Sequence, residues 1–118
     1  MYKFYWYPKC STCRKAKAKL DLQGIDYEEI DLKQTPPTAE QFENWFAQEN
    51  FPTKRFFNTS GISYREMGLK DRLTNLSNRE MAELLASDGM LIKRPLLVKD
   101  GKVLLIGFDE KKYENELM

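Results

Sequence analysis

Cys10-Ser11-Thr12-Cys13 falls between an aromatic run, Tyr2 to Tyr7, and a stretch whose apolar residues recur at helical spacing. The chain therefore begins as a strand that feeds a helix, with two thiols at the junction. Pro8 ends the strand before them. Thiols at i and i+3 of a helix stand about one turn apart, a separation that a disulfide can close with little backbone movement. With Cys10 at the helix entrance, its thiolate would face unpaired backbone N–H groups and the positive end of the helix dipole, and both lower its pKa. Lys9, Arg14 and Lys15 add positive charge nearby in sequence. Cys10 is expected to be the attacking thiol, and Cys13 the one that resolves.

Other uses of the pair are less well supported by the same residues. A structural zinc needs four ligands, and the sequence holds only these two cysteines and no histidine, so no metal site is expected. A permanent disulfide here would close a loop too small to constrain much of the unfolded chain. Two inert buried thiols remain the other alternative. The lack of histidine also removes Ser-His-Asp and Cys-His catalysis, which leaves cysteine, carboxylate, arginine, lysine and backbone groups to carry any chemistry.

A length of 118 residues points to one domain, able to bury a core without staples. Nineteen Lys and Arg against eighteen Asp and Glu give no net field for nucleic acid or lipid, so neither direct nucleic-acid binding nor a membrane role is expected. The first residues carry no signal-peptide pattern, and no apolar run approaches bilayer length. The expected location is the cytoplasm, where such a dithiol stays reduced.

Ser11 to Gln23 reads as a helix with Ala16 and Leu20 on its apolar stripe and Gly24 as its stop. Ile25 to Leu32 alternates weakly and reads as a second strand, parallel to the first, which makes a right-handed βαβ unit. Three capping boxes follow, Thr38 with Gln41, Ser63 with Glu66 and Ser77 with Glu80, each announcing a helix. The first launches Ala39 to about Gln48, with Phe42, Trp45 and Phe46 on one face. The third carries Met81, Leu84 and Leu85 toward Gly89. Pro95 to Lys99 and Lys102 to Ile106 read as strands joined by the hairpin dipeptide Asp100-Gly101, after which Asp109 caps a helix running through Leu117. The expected fold class is α/β, in the order βα, β, a helical insert over about 38–89, then ββα.

This order, with the dithiol after the first strand and Arg94-Pro95 before the third, resembles the thioredoxin fold and specifically the arsenate reductase (ArsC) family with its Spx-type relatives. The motifs that carry the resemblance are Tyr7-Pro8-Lys9-Cys10-Ser11-Thr12-Cys13-Arg14-Lys15-Ala16, Asn58-Thr59-Ser60-Gly61 with Tyr64-Arg65-Glu66, and Arg94-Pro95-Leu96 followed by Gly107-Phe108. The resemblance implies a thioredoxin-like, mixed four-stranded sheet in a single domain over residues 1–118, and a cis peptide before Pro95 that brings the backbone of Lys93 and Arg94 next to the thiols.

Residue by residue, the resemblance makes Cys10 the nucleophile and Arg94 an arginine that arsenate reductases use on the oxyanion. Ser11 and Thr12, with Arg94 and Pro95, make up the expected substrate or anion site. Where glutaredoxin-dependent arsenate reductases have two further arginines, this chain has about Asn58 and Gly107; Arg55 and Arg65 lie near enough in sequence to substitute. Those enzymes also generally manage with one active-site cysteine and glutathione, whereas Cys13 is present here. Spx-type regulators do carry the dithiol, bind the C-terminal domain of the RNA polymerase α subunit and switch on its oxidation. They commonly continue into a basic tail, and an arginine of their middle motif gives way here to Ser60 or a neighbour.

The expectation is thus a thiol-disulfide redox protein or reductase of the ArsC/Spx family that resembles its short members. No bound cofactor is expected; glutathione, glutaredoxin or thioredoxin would donate electrons to act on a thiol or disulfide substrate. The alternatives are a Spx-like regulator that binds the polymerase α C-terminal domain and, less favoured, a true arsenate reductase.

Overall fold

The computed structural model describes residues 1–117. Its elements are β1 (Tyr2–Trp6), α1 (Ser11–Leu22), β2 (Tyr27–Asp31), α2 (Ala39–Ala47), α3 (Ile62–Glu66), α4 (Leu69–Arg72), α5 (Asn78–Ser87), β3 (Leu96–Lys99), β4 (Lys102–Ile106) and α6 (Glu110–Glu116). Short 3-10 turns lie at Thr53–Phe56, Leu73–Asn75 and Gly89–Leu91. They fall into two compact units, one of residues 1–31 with the chain from Arg94 onward, the other of residues 32–93.

In the first unit the aromatic β1 has neighbours on both sides, in the strand order β2-β1-β3-β4. β1 runs parallel to β2 and antiparallel to β3, and β3 and β4 form a hairpin, so the sheet is the mixed four-stranded one that the resemblance implied. A parallel pair cannot be joined by a tight turn, and α1 supplies the crossover. Asp100 and Gly101 both take positive φ, 50° and 82°, the conformation that a two-residue hairpin needs to follow the strand twist. Leu104 is the extra residue of a bulge, because Leu97 pairs with Leu105 while Val98 pairs with Val103.

One face of this sheet presents Phe4, Leu97 and Leu105, which pack with Ala16 and Leu20 of α1 and with Tyr113 and Leu117. Burying each large apolar side chain there stabilises by about 1.5–3 kcal/mol. The other face carries Tyr5, Leu96, Val98, Val103 and Ile106, also buried, which explains why β3 reads as an unbroken apolar run. α6 is tied to α1 by Lys19 Nζ, 2.6 Å from Glu114 Oε1, and by Gln23 Nε2, which donates to the Tyr113 carbonyl at 3.1 Å.

The second unit is helical. Two of the expected capping boxes form: Gln41 N–H donates to Thr38 Oγ1 at 3.1 Å and Thr38 N–H to Gln41 Oε1 at 2.9 Å, and Ser77 and Glu80 repeat the exchange at 3.1 and 3.0 Å. Phe42, Trp45 and Phe46 are buried on one face of α2, where the Phe56 ring stacks on Trp45 at 6.3 Å between centroids.

The Ser63–Glu66 box does not form. α3 begins at Ile62 with Gly61 as its cap, so Ser63 lies inside the first turn. Gly61 N–H donates to the Asn58 carbonyl at 3.0 Å, and a Cβ on Gly61 would stand 2.8 Å from Asn58 Nδ2. A glycine makes that tight turn, and the turn sets the helix start ahead of Ser63.

The unit is also wider than the insert read from the caps, 32–93 against 38–89. Gly89 lies so near Leu32 that a Cβ there would be 2.2 Å from the Leu32 carbonyl oxygen. Asn58 N–H donates to Leu91 O at 2.7 Å and Lys93 N–H to Phe56 O at 2.8 Å, around a Phe57–Ile92 bridge. These bonds hold the chain in this unit up to Lys93, and Leu32, expected at the end of β2, is buried in the helical unit. No helix among the described residues is long and apolar enough to cross a membrane.

Candidate active site

The chain leaves β1 through Tyr7-Pro8-Lys9, a turn closed by Cys10 N–H donating to the Tyr7 carbonyl at 3.0 Å. Cys10 is the N-cap of α1, in extended conformation (φ −88°, ψ 120°), and its carbonyl accepts the first helical bond from Arg14 N–H at 3.0 Å. Its side chain makes no cap hydrogen bond of the usual kind, and the first turn of α1 has no acidic residue. The leading N–H groups of α1 are thus left facing the Cys10 sulfur.

Cys13 follows one turn later on the face that also buries Ala16 and Leu20; it is fully buried, whereas Cys10 is half-buried. Both are free thiols. Burial alone would raise the Cys10 pKa, but this is outweighed by the Cys13 N–H, the Cys13 thiol, the Arg94 charge and the Thr12 N–H, so Cys10 is held below the ordinary thiol value. Burial pushes the Cys13 thiol up to about 12, reinforced by the hydrogen bond and charge of Cys10 and only partly opposed by the Tyr7 N–H and Arg94. The pair therefore sheds its first proton from Cys10 and keeps the second on Cys13.

The cation that acts on the thiols is Arg94. Lys9, Arg14 and Lys15 are exposed, and Arg14 Nη1 instead donates to the Pro8 carbonyl at 3.0 Å. Arg94 lies at the junction with β3, joined to Pro95 by a cis peptide, and its guanidinium carbon stands 5.7 Å from the centroid of the Tyr7 ring. Pro95 is buried, and its carbonyl accepts from Gly107 N–H at 2.8 Å, which pins the start of β3 to the end of β4. Ser11 and Thr12 are exposed on the first turn of α1, with the Thr12 N–H directed at the Cys10 sulfur.

Arg55 and Arg65 lie in the helical unit. Arg65 is exposed at the end of α3, and Arg55 lines a pocket of about 390 Å³ with Lys54, Lys93, Thr59, Pro52 and Phe57. Asn58 is occupied by backbone bonds to Leu91 and Gly61. Sequence reasoning missed two residues of the first unit: Tyr7, as the ring beneath Arg94, and Tyr113, whose fully buried phenol senses the charge of Cys13. The position of Tyr7 directly before the proline and the thiols was a signal for the first.

The family model for ArsC proteins matches residues 5–115. The chain is 50% identical over 94% of its length to the uncharacterized protein YusI of Bacillus subtilis (strain 168), covering 93% of that protein. It superposes with a TM-score of 0.89 on the crystal structure of a possible arsenate reductase from Streptococcus mutans UA159, 60% identical over 92% of this chain and 91% of that one. It is also 28% identical over 90% of its length to the global transcriptional regulator Spx of Lactiplantibacillus plantarum, covering 78% of that protein. With its sheet, its helical insert and its dithiol at the first strand-helix junction, this chain belongs to the ArsC family.

Proposed function

We propose that the chain is a thiol-disulfide redox protein in which Cys10 is the nucleophile and Cys13 the resolving thiol. The observation that carries this reading is the opposite displacement of two thiols one helical turn apart: Cys10 lowered at the α1 cap, Cys13 buried and pushed up to about 12. A free thiol, with a pKa of about 8.5, is only a few per cent thiolate at neutral pH, so lowering Cys10 directly multiplies the attacking species.

The Cys10 thiolate attacks a disulfide R–S–S–R′; the Cys10–S–R bond forms and R′S⁻ leaves. Cys13 then attacks the Cys10 sulfur, forming the Cys10–Cys13 disulfide and expelling RS⁻. Two electrons and two protons from glutathione, glutaredoxin or thioredoxin restore the dithiol. Arg94 steadies the thiolate or an anionic group of the substrate, the Ser11 and Thr12 turn faces it, and the backbone before Pro95 aligns the target chain. The working compartment is the cytoplasm, where the resting pair is kept reduced.

A regulatory reading is retained because of the likeness to Spx; it makes the same disulfide a switch for binding the RNA polymerase α C-terminal domain. Arsenate reduction ranks lower, since Asn58 and Gly107 stand where two oxyanion arginines were expected. The test is a parallel assay of the reduced protein for exchange with glutathione disulfide, for arsenate reduction and for capture of polymerase α in both redox states. Exchange that consumes both thiols supports the redox reading. Binding that strengthens tenfold or more on oxidation, without turnover, would put the regulator first.

A further inference from the structure

Arg94 favours the Cys10 thiolate from a neighbouring strand, so its effect depends on what keeps a long and flexible side chain in place. The antiparallel pairing of β1 with β3 ends with Tyr5 opposite Leu96, and the same register carried two residues further sets Tyr7 level with Arg94. The contact that this register anticipates is made: the guanidinium carbon lies 5.7 Å from the centroid of the Tyr7 ring, within cation–π range. Both residues are half-buried, where such a contact is stronger than at a fully exposed site. Tyr7 is also tied to the nucleophile through its main chain, since its carbonyl accepts from the Cys10 N–H at 3.0 Å. One residue thus meets the cation with its ring and the cap of α1 with its backbone.

We infer that Tyr7 is a positioning residue for Arg94, its ring holding the guanidinium where the charge reaches the Cys10 sulfur. This rests on the reading of Cys10 as the nucleophile. Arginine has much rotamer freedom to lose, and a guanidinium left to sample solvent would meet the sulfur for only part of the time. A ring suits the task better than a carboxylate would. An acid beneath the guanidinium would fix it but cancel the charge that a thiolate needs, whereas the face of a neutral ring attracts the cation and leaves its charge to act. The role belongs to the side chain alone, because the Tyr7 carbonyl keeps its bond to the Cys10 N–H whatever side chain stands there.

The test is the midpoint of Cys10 alkylation against pH, read by mass spectrometry in the unsubstituted protein, Tyr7→Leu, Tyr7→Phe, Arg94→Gln and the variant that combines Tyr7→Leu with Arg94→Gln. Tyr7→Leu should raise the midpoint by about half of the rise that Arg94→Gln gives, roughly a twofold to threefold loss of rate at neutral pH. Tyr7→Phe, which keeps the ring, should keep the low midpoint, and in the Arg94→Gln background Tyr7→Leu should move it no further. Three results would overturn the proposal: no shift in Tyr7→Leu, a shift of the same size with and without Arg94, or a rise in Tyr7→Phe equal to that in Tyr7→Leu. If Tyr7→Leu does not fold, Tyr7→Gln, equally without a ring, carries the same comparison. A midpoint at or above about 8.5 in the unsubstituted protein marks the failure of the nucleophile reading instead. The cycle between Tyr7 and Arg94 is read as a difference and still decides whether the ring acts through the arginine.

Discussion

α1 and α5 enter their first turns in similar ways and use them differently. Both caps are extended, Cys10 at φ −88° and Ser77 at φ −73°. Ser77 accepts a bond from the N–H of Glu80, whose carboxylate in turn accepts one from the Ser77 N–H. α2 does the same with Thr38 and Gln41. α1 has a sulfur at the cap and Ser-Thr-Cys-Arg in the first turn, with no acid to occupy its donors. A helix end that serves stability satisfies its own N–H groups; the end of α1 leaves them to a thiolate.

The largest test of that contrast is Cys10→Ser. Serine is the better cap, so the reduced variant should be more stable by about 0.5–1 kcal/mol, while disulfide exchange is lost because a hydroxyl at this position is no nucleophile. Thermal unfolding and a glutathione-disulfide exchange assay measure the two effects. A variant that is both less stable and still reactive would remove the basis of the comparison.

The buried thiol gives a pH signature of the opposite sign to that of its neighbour. Cys13 is raised in the folded state, so its contribution is fully present below the ordinary thiol range and is lost as pH rises from about 9 toward about 12. Stability of the reduced protein should fall there by up to about 1.4 kcal/mol per pH unit. Cys10 is lowered, so its contribution is present above the ordinary thiol pKa and lost as pH falls through its folded value. Denaturant melts of the reduced protein and of Cys13→Ala across alkaline pH should differ by this slope; parallel curves would show that Cys13 titrates as in the unfolded chain.

Arg94→Gln removes the one distant charge that favours the Cys10 thiolate and leaves the helix donors in place. The midpoint of Cys10 alkylation should rise by about 0.5–1 pH unit, a loss of roughly threefold to tenfold in rate at neutral pH. An unmoved midpoint would assign the whole effect to α1. The smallest effect is Thr38→Ala, which should cost about 1 kcal/mol in thermal or denaturant unfolding and leave Cys10 reactivity unchanged.

Much of this contrast could be read from the sequence because it is local. The junction at Pro8, two of the capping boxes and the Asp100-Gly101 hairpin depend on residues that are neighbours in the chain. The Ser63 box failed for a local reason that its pattern does not encode, the tight approach of Gly61 to Asn58. The charge acting on Cys10 was misread from its neighbours. Lys9, Arg14 and Lys15 point to solvent, and Arg94 reaches the thiols only because β3 pairs with β1, so it was visible through family resemblance alone. Tyr113 was hidden for a similar reason: Glu-Lys-Lys-Tyr-Glu-Asn-Glu reads as a solvated helix, and only packing against α1 buries its one aromatic.

The central claim is that one helix turn shifts two thiols in opposite directions, Cys10 down and Cys13 up, and pH-resolved alkylation of the reduced protein, read by mass spectrometry at each cysteine, tests it most directly. Cys10 should react first, with a midpoint below the ~8.5 of a free thiol, while Cys13 stays unmodified through the neutral range. Earlier modification of Cys13, or a shared midpoint at or above the free-thiol value, would contradict the account.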